Sequence, residues 1–350
     1  STEVRATNMA FQAGNEWLPP PVPLMRQGTS GGDTSGIDEP PPDVPRLVMQ
    51  QTSGIQPRAL NLATLLPPHW KQEVQRWIHD DVPQFDVGGF VVGEKNETAI
   101  LYGKSYGVLA GVPFFNYVFE YLGCTVTWFM EEQDIVDPSY AENRKVAVAE
   151  VKGPARLILL GERTALNTLS RASGIATSAR NAVDKAQQQG WHGSVAGTRK
   201  TTPGFRVVEK YALLCGGAAT HRLDLSQMVM LKDNHIWSTG DITSAVTLAR
   251  KACGFSSKIE VEVSALADAL TAAAAGADIV MLDNMDPSEL KKAAKEFKVA
   301  YPHVLVEASG GITVATMHQY MSSDVDIISQ GCLTQGYACI DFSLKITRAE

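Results

Sequence analysis

The sequence lacks several features that define other classes of protein. Its 350 residues include five cysteines, none in a CxxC pair, and an odd number leaves at least one thiol without an intramolecular partner. No stretch approaches the roughly 18 uninterrupted apolar residues that a membrane span needs. The first residues, STEVRATNMAFQAGNEW, lack the apolar core of a signal peptide. These absences favour a reducing compartment. We therefore expect a cytoplasmic protein without a membrane partner, and an additional nuclear pool is the alternative.

The chain also lacks an excess of positive charge. It carries 31 Lys and Arg against 38 Asp and Glu, a net charge of −7. A general nucleic-acid binder needs a basic face that displaces counterions from the phosphates, so we expect no nucleic-acid partner. The length allows about two domains, and the 44% hydrophobic content is enough for a substantial core.

Composition and periodicity divide the chain into three parts. Residues 1–56 are rich in Pro, Gly and Ser without periodicity and are predicted to be disordered; a proline-rich ligand for an adaptor domain is the alternative. Residues 57–165 are predicted to form an N-terminal α+β sandwich domain, which the C-terminal segment 333–350 rejoins. It contains a helix after Pro67 and Pro68 and, in FVVGEKNETAILYGKSYGVLAG, two strands joined by a turn at Lys95–Asn96. The segment from Gly161 to Gly190 that follows predicts two helices interrupted by Gly174.

Residues 166–332 are predicted to form an α/β-barrel, complete or incomplete. From Gly193 onward, short apolar runs alternate with helical stretches that start at Phe205, Thr239, Leu266, Pro287 and Thr313. Such alternation indicates parallel βαβ units, and that many in series favours a barrel over an open sheet. Chemistry in barrels collects at the carboxyl ends of the strands. The residues there are Thr198, Arg199, Lys200, Lys232, Asp233, Glu260, Glu262, Asp283, Asn284, Ser309, Gly310, Gly311 and Gly331.

Opposite charges around one rim indicate a site for a phosphorylated sugar. The cations would hold phosphates and carboxylates. Glu262 and Asp283 would hold ribose hydroxyls, directly or through Mg²⁺, which prefers a few carboxylates, waters and substrate phosphates. The Ser309–Gly310–Gly311 turn, placed before a predicted helix, would present backbone donors to a phosphate.

The basic residues concentrate between Gly193 and Trp237. In TRKTTPGFRVVEKYALLCGGAATHRLDLSQMVMLKDNHI, Pro203 and Gly204 force a turn after the first cations, leaving a constrained loop that suits an anion. We interpret His221, beside Arg222, as a carboxylate contact and His235 as structural.

This segment resembles the signature of the quinolinate phosphoribosyltransferase family. The resemblance runs from about residue 60 to the C-terminus and includes GVLAG at 107–111, GERTALN at 161–167, SGIAT at 173–177 and EASGGIT at 307–313. It implies a type II phosphoribosyltransferase fold and the transfer of phosphoribose from phosphoribosyl pyrophosphate to quinolinate with loss of CO₂. It also selects Glu262 rather than Glu260 as the ligand-facing carboxylate.

The resemblance implies roles for individual residues. Lys200, Lys232, Glu262 and Asp283 are the catalytic candidates, and Arg199 and Arg222 would help to grip the dicarboxylate. An Arg at the position of Arg163 reaches the neighbouring subunit's site in the family. The resemblance therefore implies at least a homodimer, and it leaves a hexamer as a second alternative.

Two other functions remain open at this point. One is phosphoribosyl transfer to nicotinate or another pyridine or pyrimidine acid without decarboxylation, which needs fewer cations. The other is a catalytically silent sensor of an anionic metabolite. Loss of Glu262 or Asp283 would favour the sensor, and both are present.

Overall fold

A computed structural model describes residues 61–141 and 143–347. The tail predicted to be disordered, residues 1–56, lies outside them. The elements that precede the barrel strands are α1 (Trp70–Asp81), α2 (Val87–Val92), β1 (Asn96–Gly103), β2 (Gly107–Val108), α3 (Val112–Tyr121), β3 (Thr125–Trp128), β4 (Ile135–Val136), β5 (Val146–Pro154) and α4 (Ala155–Gln188).

The N-terminal elements build an antiparallel sheet that includes the last strand of the chain, β12 (Phe342–Ile346). The sheet has the order β12-β1-β5-β3, and β12 pairs with β1 in the register Ala99 to Ile346. Strands β2 and β4 form a separate two-stranded antiparallel sheet. Helix α3 contributes the buried Phe114, Phe115 and Phe119 to the core. The sequence-predicted α+β character of this region is confirmed.

Two local predictions in this region are wrong. The apolar run around Phe90 was expected to form a strand but forms helix α2, because the Asp86 side chain caps the Gly89 N–H at 2.8 Å. Gly174 was expected to interrupt two helices, but α4 continues through it. Gly174 packs against the Ala338 carbonyl, where a methyl group would overlap the backbone. That glycine serves close packing.

The C-terminal region contains a six-stranded parallel sheet in the order β6-β11-β10-β9-β8-β7. Its strands are β6 (Ser194–Ala196), β7 (Val229–Leu231), β8 (Ile259–Val263), β9 (Ile279–Asp283), β10 (Leu305–Ser309) and β11 (Ile327–Ser329). Strands β6 and β7 are the two ends of the sheet and do not pair with each other in the described residues, so the sheet is an incomplete barrel. The predicted α/β class is confirmed, whereas hydrogen-bonded closure is not.

Five helices accompany these strands: α5 (Arg206–Cys215), α6 (Asp233–Thr239), α7 (Ile242–Cys253), α8 (Leu266–Ala274) and α9 (Pro287–Ala300). The helix expected from Thr239 is instead two helices, separated at Gly240 with Asp241 capping the second. The helix expected from Thr313 does not form. The hydroxyls of Thr313 and Thr316 bond each other and the local backbone, and a 3₁₀ turn follows at Met317–Gln319.

Helix α4 crosses the expected boundary between residues 165 and 166 without a break. It packs against both α3 and α5, which joins N-terminal and barrel elements in one core. The expected limits 57–165, 166–332 and 333–350 stay predictions. In the described residues, no helix combines the length and apolar character required to cross a membrane.

Candidate active site

The predicted rim residues lie at one edge of the parallel sheet. Read along the strand order, the carboxyl ends of β6, β11, β10, β9, β8 and β7 carry, in turn, Thr198–Arg199–Lys200, Gly331, Ser309–Gly310–Gly311, Asp283, Glu262 and Lys232. The parallel register makes them neighbours, since Ser309 pairs with Asp283 and the residue after Glu262 pairs with Leu282. The structure therefore brings together side chains that are more than a hundred residues apart in the chain.

Three charged groups form the part of this rim at β7, β8 and β9. The Lys232 ammonium forms an ion pair with the Glu262 carboxylate. Burial raises the pKa of Asp283, and the nearby Glu262 raises it further, against the opposing effects of Lys232 and of a hydrogen bond with Ser309. The negative charge of the two carboxylates is therefore only partly compensated by protein groups.

The loop that follows β6 is held by hydrogen bonds to its own backbone. The Lys200 N–H donates to the Thr198 hydroxyl at 3.1 Å, and the Thr334 hydroxyl donates to the Lys200 carbonyl at 2.7 Å. The buried Glu209 accepts the Thr202 N–H at 2.9 Å and the Thr202 hydroxyl at 2.8 Å. The loop backbone is thus fixed while the Lys200 side chain stays exposed.

Lys200 lies beside Gly331, as the rim order requires. A Cβ built on Gly331 would lie 3.0 Å from the Lys200 Cδ and 3.7 Å from its Nζ. Lys200, after β6, and Gly331, after β11, are therefore in contact at the carboxyl ends of these two neighbouring strands.

The cations behind this loop repel one another. Burial, together with the positive charges of Arg206 and Arg199, lowers the pKa of Lys210 to about 8. Burial also lowers the pKa of Arg222, again with a contribution from Arg199. The Arg199 Nε is buried without a hydrogen-bond partner. Positive charge that is crowded and partly desolvated is stabilised by an anionic ligand.

His221 faces the interior of the barrel. Its Nε2 lies 3.1 Å from Glu307 Oε2 and 3.5 Å from Glu260 Oε2, and both carboxylates are completely buried. Burial and the adjacent Glu307 raise the pKa of Glu260 to about 9. Direct contact between His221 and a substrate carboxylate stays a prediction. His235, expected to be structural, accepts the Lys232 N–H at 3.1 Å through Nδ1 at the start of α6.

Sequence reasoning gave no role to Glu307 and treated Glu260 only as an alternative to Glu262. The signal for Glu260 was the alternation in KIEVEV, which places both glutamates on the same face of β8. Glu307 was part of a quoted motif, but an acidic residue inside a strand gives no indication of its partner. Both residues are located by the fold alone.

The turn after β10 requires glycine at its second position. Gly310 has φ +95°, and a Cβ there would overlap the Asn284 backbone. Asn284 itself has φ 55°. Its expected place at a helix N-terminus is wrong, because in the described part of the chain a 3₁₀ turn at Met317–Gln319, and not an α-helix, follows it. If Ser309, Gly310 and Gly311 contact a phosphate, the hydrogen-bond donors are therefore backbone N–H groups of a loop and not those of a helix N-terminus.

A cavity of about 580 Å³ opens beside the acidic part of the rim. Of the predicted residues, Glu262 and Asp283 line it, together with Asn284. Its wall also carries three further carboxylates, on Asp233, Asp241 and Asp268, and none of its described lining residues is Lys or Arg. Hard oxygen donors whose negative charge is only partly compensated fit Mg²⁺.

Arg163 is not part of this cavity. It lies on α4 with its side chain exposed. Within a single chain, Arg163 is therefore not one of the residues at the strand ends.

Family comparisons agree with this geometry. The family model described as "Quinolinate phosphoribosyl transferase, N-terminal domain" matches residues 86–173, and the one for the C-terminal domain of the same enzyme matches residues 175–345. The chain belongs to the quinolinate phosphoribosyltransferase family. The sequence-based resemblance to this enzyme family is therefore confirmed.

Curated relatives and solved structures of the family match over most of the chain. The nicotinate-nucleotide pyrophosphorylase [carboxylating] of Homo sapiens is 50% identical over 293 residues, which is 83% of this chain and 97% of that protein. That of Dictyostelium discoideum is 48% identical, covering 83% and 100%. The solved structure of nicotinate-nucleotide pyrophosphorylase from Francisella tularensis has a TM-score of 0.72 at 33% identity and covers 79% of this chain and 95% of its own.

Proposed function

We propose that this chain transfers phosphoribose from phosphoribosyl pyrophosphate to quinolinate and removes one carboxylate, giving nicotinate mononucleotide, pyrophosphate and CO₂ in de novo NAD biosynthesis. The observation that carries the proposal is the ordered rim of six adjacent strands, in which the ends of β6 and β7 carry cations, those of β8 and β9 carry carboxylates, and those of β10 and β11 carry glycine turns. Family membership narrows the anionic substrates to this pair.

The dicarboxylate is assigned to the cationic part of the rim. Arg199 and Arg222 offer planar donor groups, whereas Lys200 and Lys232 offer compact charges, so two carboxylates can be held in different ways. The mutual repulsion of Arg199 and Arg222 supports this role, because an anion between them would remove it.

The ribose and its phosphates are assigned to the acidic part of the rim and to the adjoining turns. Glu262 and Asp283 orient the ribose hydroxyls, and Thr198, Ser309, Gly310, Gly311 and Gly331 surround the phosphate position. Glu262 and Asp283 would also hold Mg²⁺, which neutralises charge on the leaving pyrophosphate when bound. The acid-lined cavity supports this assignment.

The reaction needs no nucleophilic side chain. The pyridine nitrogen forms a bond to the ribose C1 as the bond from C1 to pyrophosphate breaks, and positive charge develops on the sugar. Glu262 and Asp283 stabilise that charge, and fixed positioning lowers the barrier further. The alkylated nitrogen then accepts the electron pair released when the adjacent carboxylate leaves as CO₂, and a proton replaces the carboxylate on the ring.

We further propose a homodimer in which Arg163 reaches the active site of the partner, with assembly to a hexamer open. The exposure of Arg163 on α4 supports this arrangement, since no group in its own described chain forms an ion pair with it. Helix α2 also exposes apolar side chains, with Phe90 86% exposed and Val91 80% exposed. The compartment is proposed to be the cytoplasm.

Quinolinate labelled in its 2-carboxylate tests the proposed reaction directly. Incubation with the purified protein, Mg²⁺ and phosphoribosyl pyrophosphate should release labelled CO₂ and an equal amount of nicotinate mononucleotide. Nicotinate in place of quinolinate is the control for a transferase that does not decarboxylate. Binding of quinolinate without any product would instead support a sensor.

A further inference from the structure

His221 uses both ring nitrogens within the protein. Its Nδ1 accepts the backbone N–H of Arg222 at 2.7 Å, so the ring hydrogen lies on Nε2 and points to the two buried carboxylates. Nε2 is 3.1 Å from Glu307 Oε2 and 3.5 Å from Glu260 Oε2. The ring therefore connects the carboxylates inside the barrel to the backbone of Arg222.

The same segment is held from a second direction. The Lys210 ammonium on α5 donates to the Thr220 carbonyl and, at 3.1 Å, to the Arg222 carbonyl. His221 between them has φ 56°, a left-handed conformation that is unfavourable for a residue other than glycine. Such a conformation persists only where the surroundings fix it. The contacts on both sides of the segment supply that constraint.

Two alternatives would give the carboxylates other roles. The Glu260 and Glu307 side chains are both buried. Three of their carboxylate oxygens, Glu260 Oε1, Glu260 Oε2 and Glu307 Oε1, have no hydrogen-bond partner. A divalent cation could bind there, because the ligand atoms of Glu260, Glu307 and His221 lie within 4.8 Å of one another. The positive charge of Arg222, which acts on Glu260, opposes such a cation. A general stabilising role is the other alternative.

We propose that Glu307 and Glu260 are positioning residues that act through His221 to fix the backbone of Arg222. The chain of contacts runs from β10 and β8, through the imidazole, to the backbone of Arg222. Strands β8 and β10 then position Arg222 through these contacts, and the Glu260 and Glu307 carboxylates need not touch the substrate. This inference rests on the proposed function only where it assigns the consequence to quinolinate binding.

The test compares Glu307→Leu with Glu307→Gln. Leucine removes the acceptor of the Nε2–H, and we expect the KM for quinolinate to rise by on the order of tenfold, the effect of one unpaired buried donor. The kcat and the KM for phosphoribosyl pyrophosphate should change less than about threefold. Glutamine keeps an oxygen acceptor at the same place and should restore the KM for quinolinate to within about twofold of wild type.

A double mutant separates positioning from general stabilisation. If Glu307 acts only through His221, adding Glu307→Leu to His221→Ala should raise the KM no further. The matched control is Asp326→Asn, because Asp326 accepts the Val306 N–H on the same strand at 2.7 Å and pairs with Lys298 at 2.7 Å. The control should lower the Tm and leave the KM for quinolinate unchanged.

Three results would overturn the proposal. They are an unchanged KM in Glu307→Leu, additive effects in the double mutant, and a rise in KM in the control that parallels its loss of Tm. Binding of Zn²⁺ or Mn²⁺ that Glu307→Gln abolishes would replace positioning by a metal site. Should Glu307→Leu fail to fold, Glu307→Met, which also removes the carboxylate acceptor but keeps a long apolar side chain, carries the same expectation.

A crystal structure of the Glu307→Leu variant tests the positioning role of Glu307 separately from the proposed transferase function. A wild-type protein without transferase activity would refute the proposed function. The positioning role would still predict a displaced Arg222 in the variant, with Lys232 and Glu262 unmoved. An Arg222 that keeps its place would refute the positioning role even if the enzyme is active.

Discussion

Glu132 offers a prediction in which the magnitude follows from the structure. Its carboxylate lies at the start of helix α3, where Oε1 accepts the Gly111 N–H at 2.6 Å and Oε2 accepts the Val112 N–H at 3.1 Å. The Cys215 thiol of α5 lies 3.4 Å from Oε1. Burial outweighs these favourable contacts and raises the pKa of Glu132 from 4.5 to about 7.

The sign of the effect follows from proton linkage. Between pH 4.5 and about 7 the native state holds a proton that the unfolded chain has lost. The free energy of unfolding therefore falls as pH rises, by about 1.4 kcal/mol per pH unit for this group. Its contribution is complete below pH 4.5 and is lost at about pH 7. The total change is at most about 3 kcal/mol, since the side chain is only partly buried.

The perturbation is Glu132→Gln, measured by urea unfolding at fixed protein concentration from pH 5 to 8. Glutamine cannot ionise, so the wild-type protein should lose stability relative to the variant as pH rises, by on the order of 2–3 kcal/mol over this range. Glutamine offers one acceptor oxygen for two N–H groups, which adds a pH-independent loss of about 1 kcal/mol. Glu131→Gln, an exposed neighbour, is the control. A difference between Glu132→Gln and wild type that does not vary with pH would refute the reasoning.

Three further predictions concern the rim and the proposed contribution of Arg163 from a partner subunit. Arg222→Ala should lower kcat/KM by on the order of 10²-fold with the fold intact, because a desolvated charge partner of the substrate is lost; near wild-type turnover would exclude this residue from the site. Gly310→Ala should lower activity and Tm together, since its φ of +95° and its contact with Asn284 both disfavour a side chain, and an unchanged Tm would contradict that packing. Arg163→Ala and Lys232→Ala should each be inactive alone, yet mixed subunits should regain activity in hybrid dimers; no recovery after confirmed subunit exchange would count against a shared site.

The meeting of the strand-end residues at one edge was predictable from the sequence, because it depends on a general property of parallel sheets. Successive strands separated by helices run in the same direction, so the residues after each strand must meet at one edge. Lys232, Glu262 and Asp283 needed only that rule to be placed together. Family resemblance was then required to distinguish Glu262 from Glu260, because both lie on the same face of one strand.

The details that were wrong depend on contacts between distant segments. Gly174 has the sequence appearance of a helix break, but the carbonyl it packs against comes from Ala338. The turn after Ser309 has the appearance of a helix start, but local threonine hydroxyls satisfy the backbone instead. The role of Glu307 could not be predicted either, because its partner His221 is 86 residues earlier and faces it only in the folded barrel.

A crystal structure of the protein with quinolinate bound tests the central claim most directly. The account predicts quinolinate at the carboxyl-end rim, with its carboxylates among Arg199, Lys200, Arg222 and Lys232 and its ring nitrogen towards Glu262. Quinolinate bound away from these strand ends, with the rim side chains left as they are here, would contradict it.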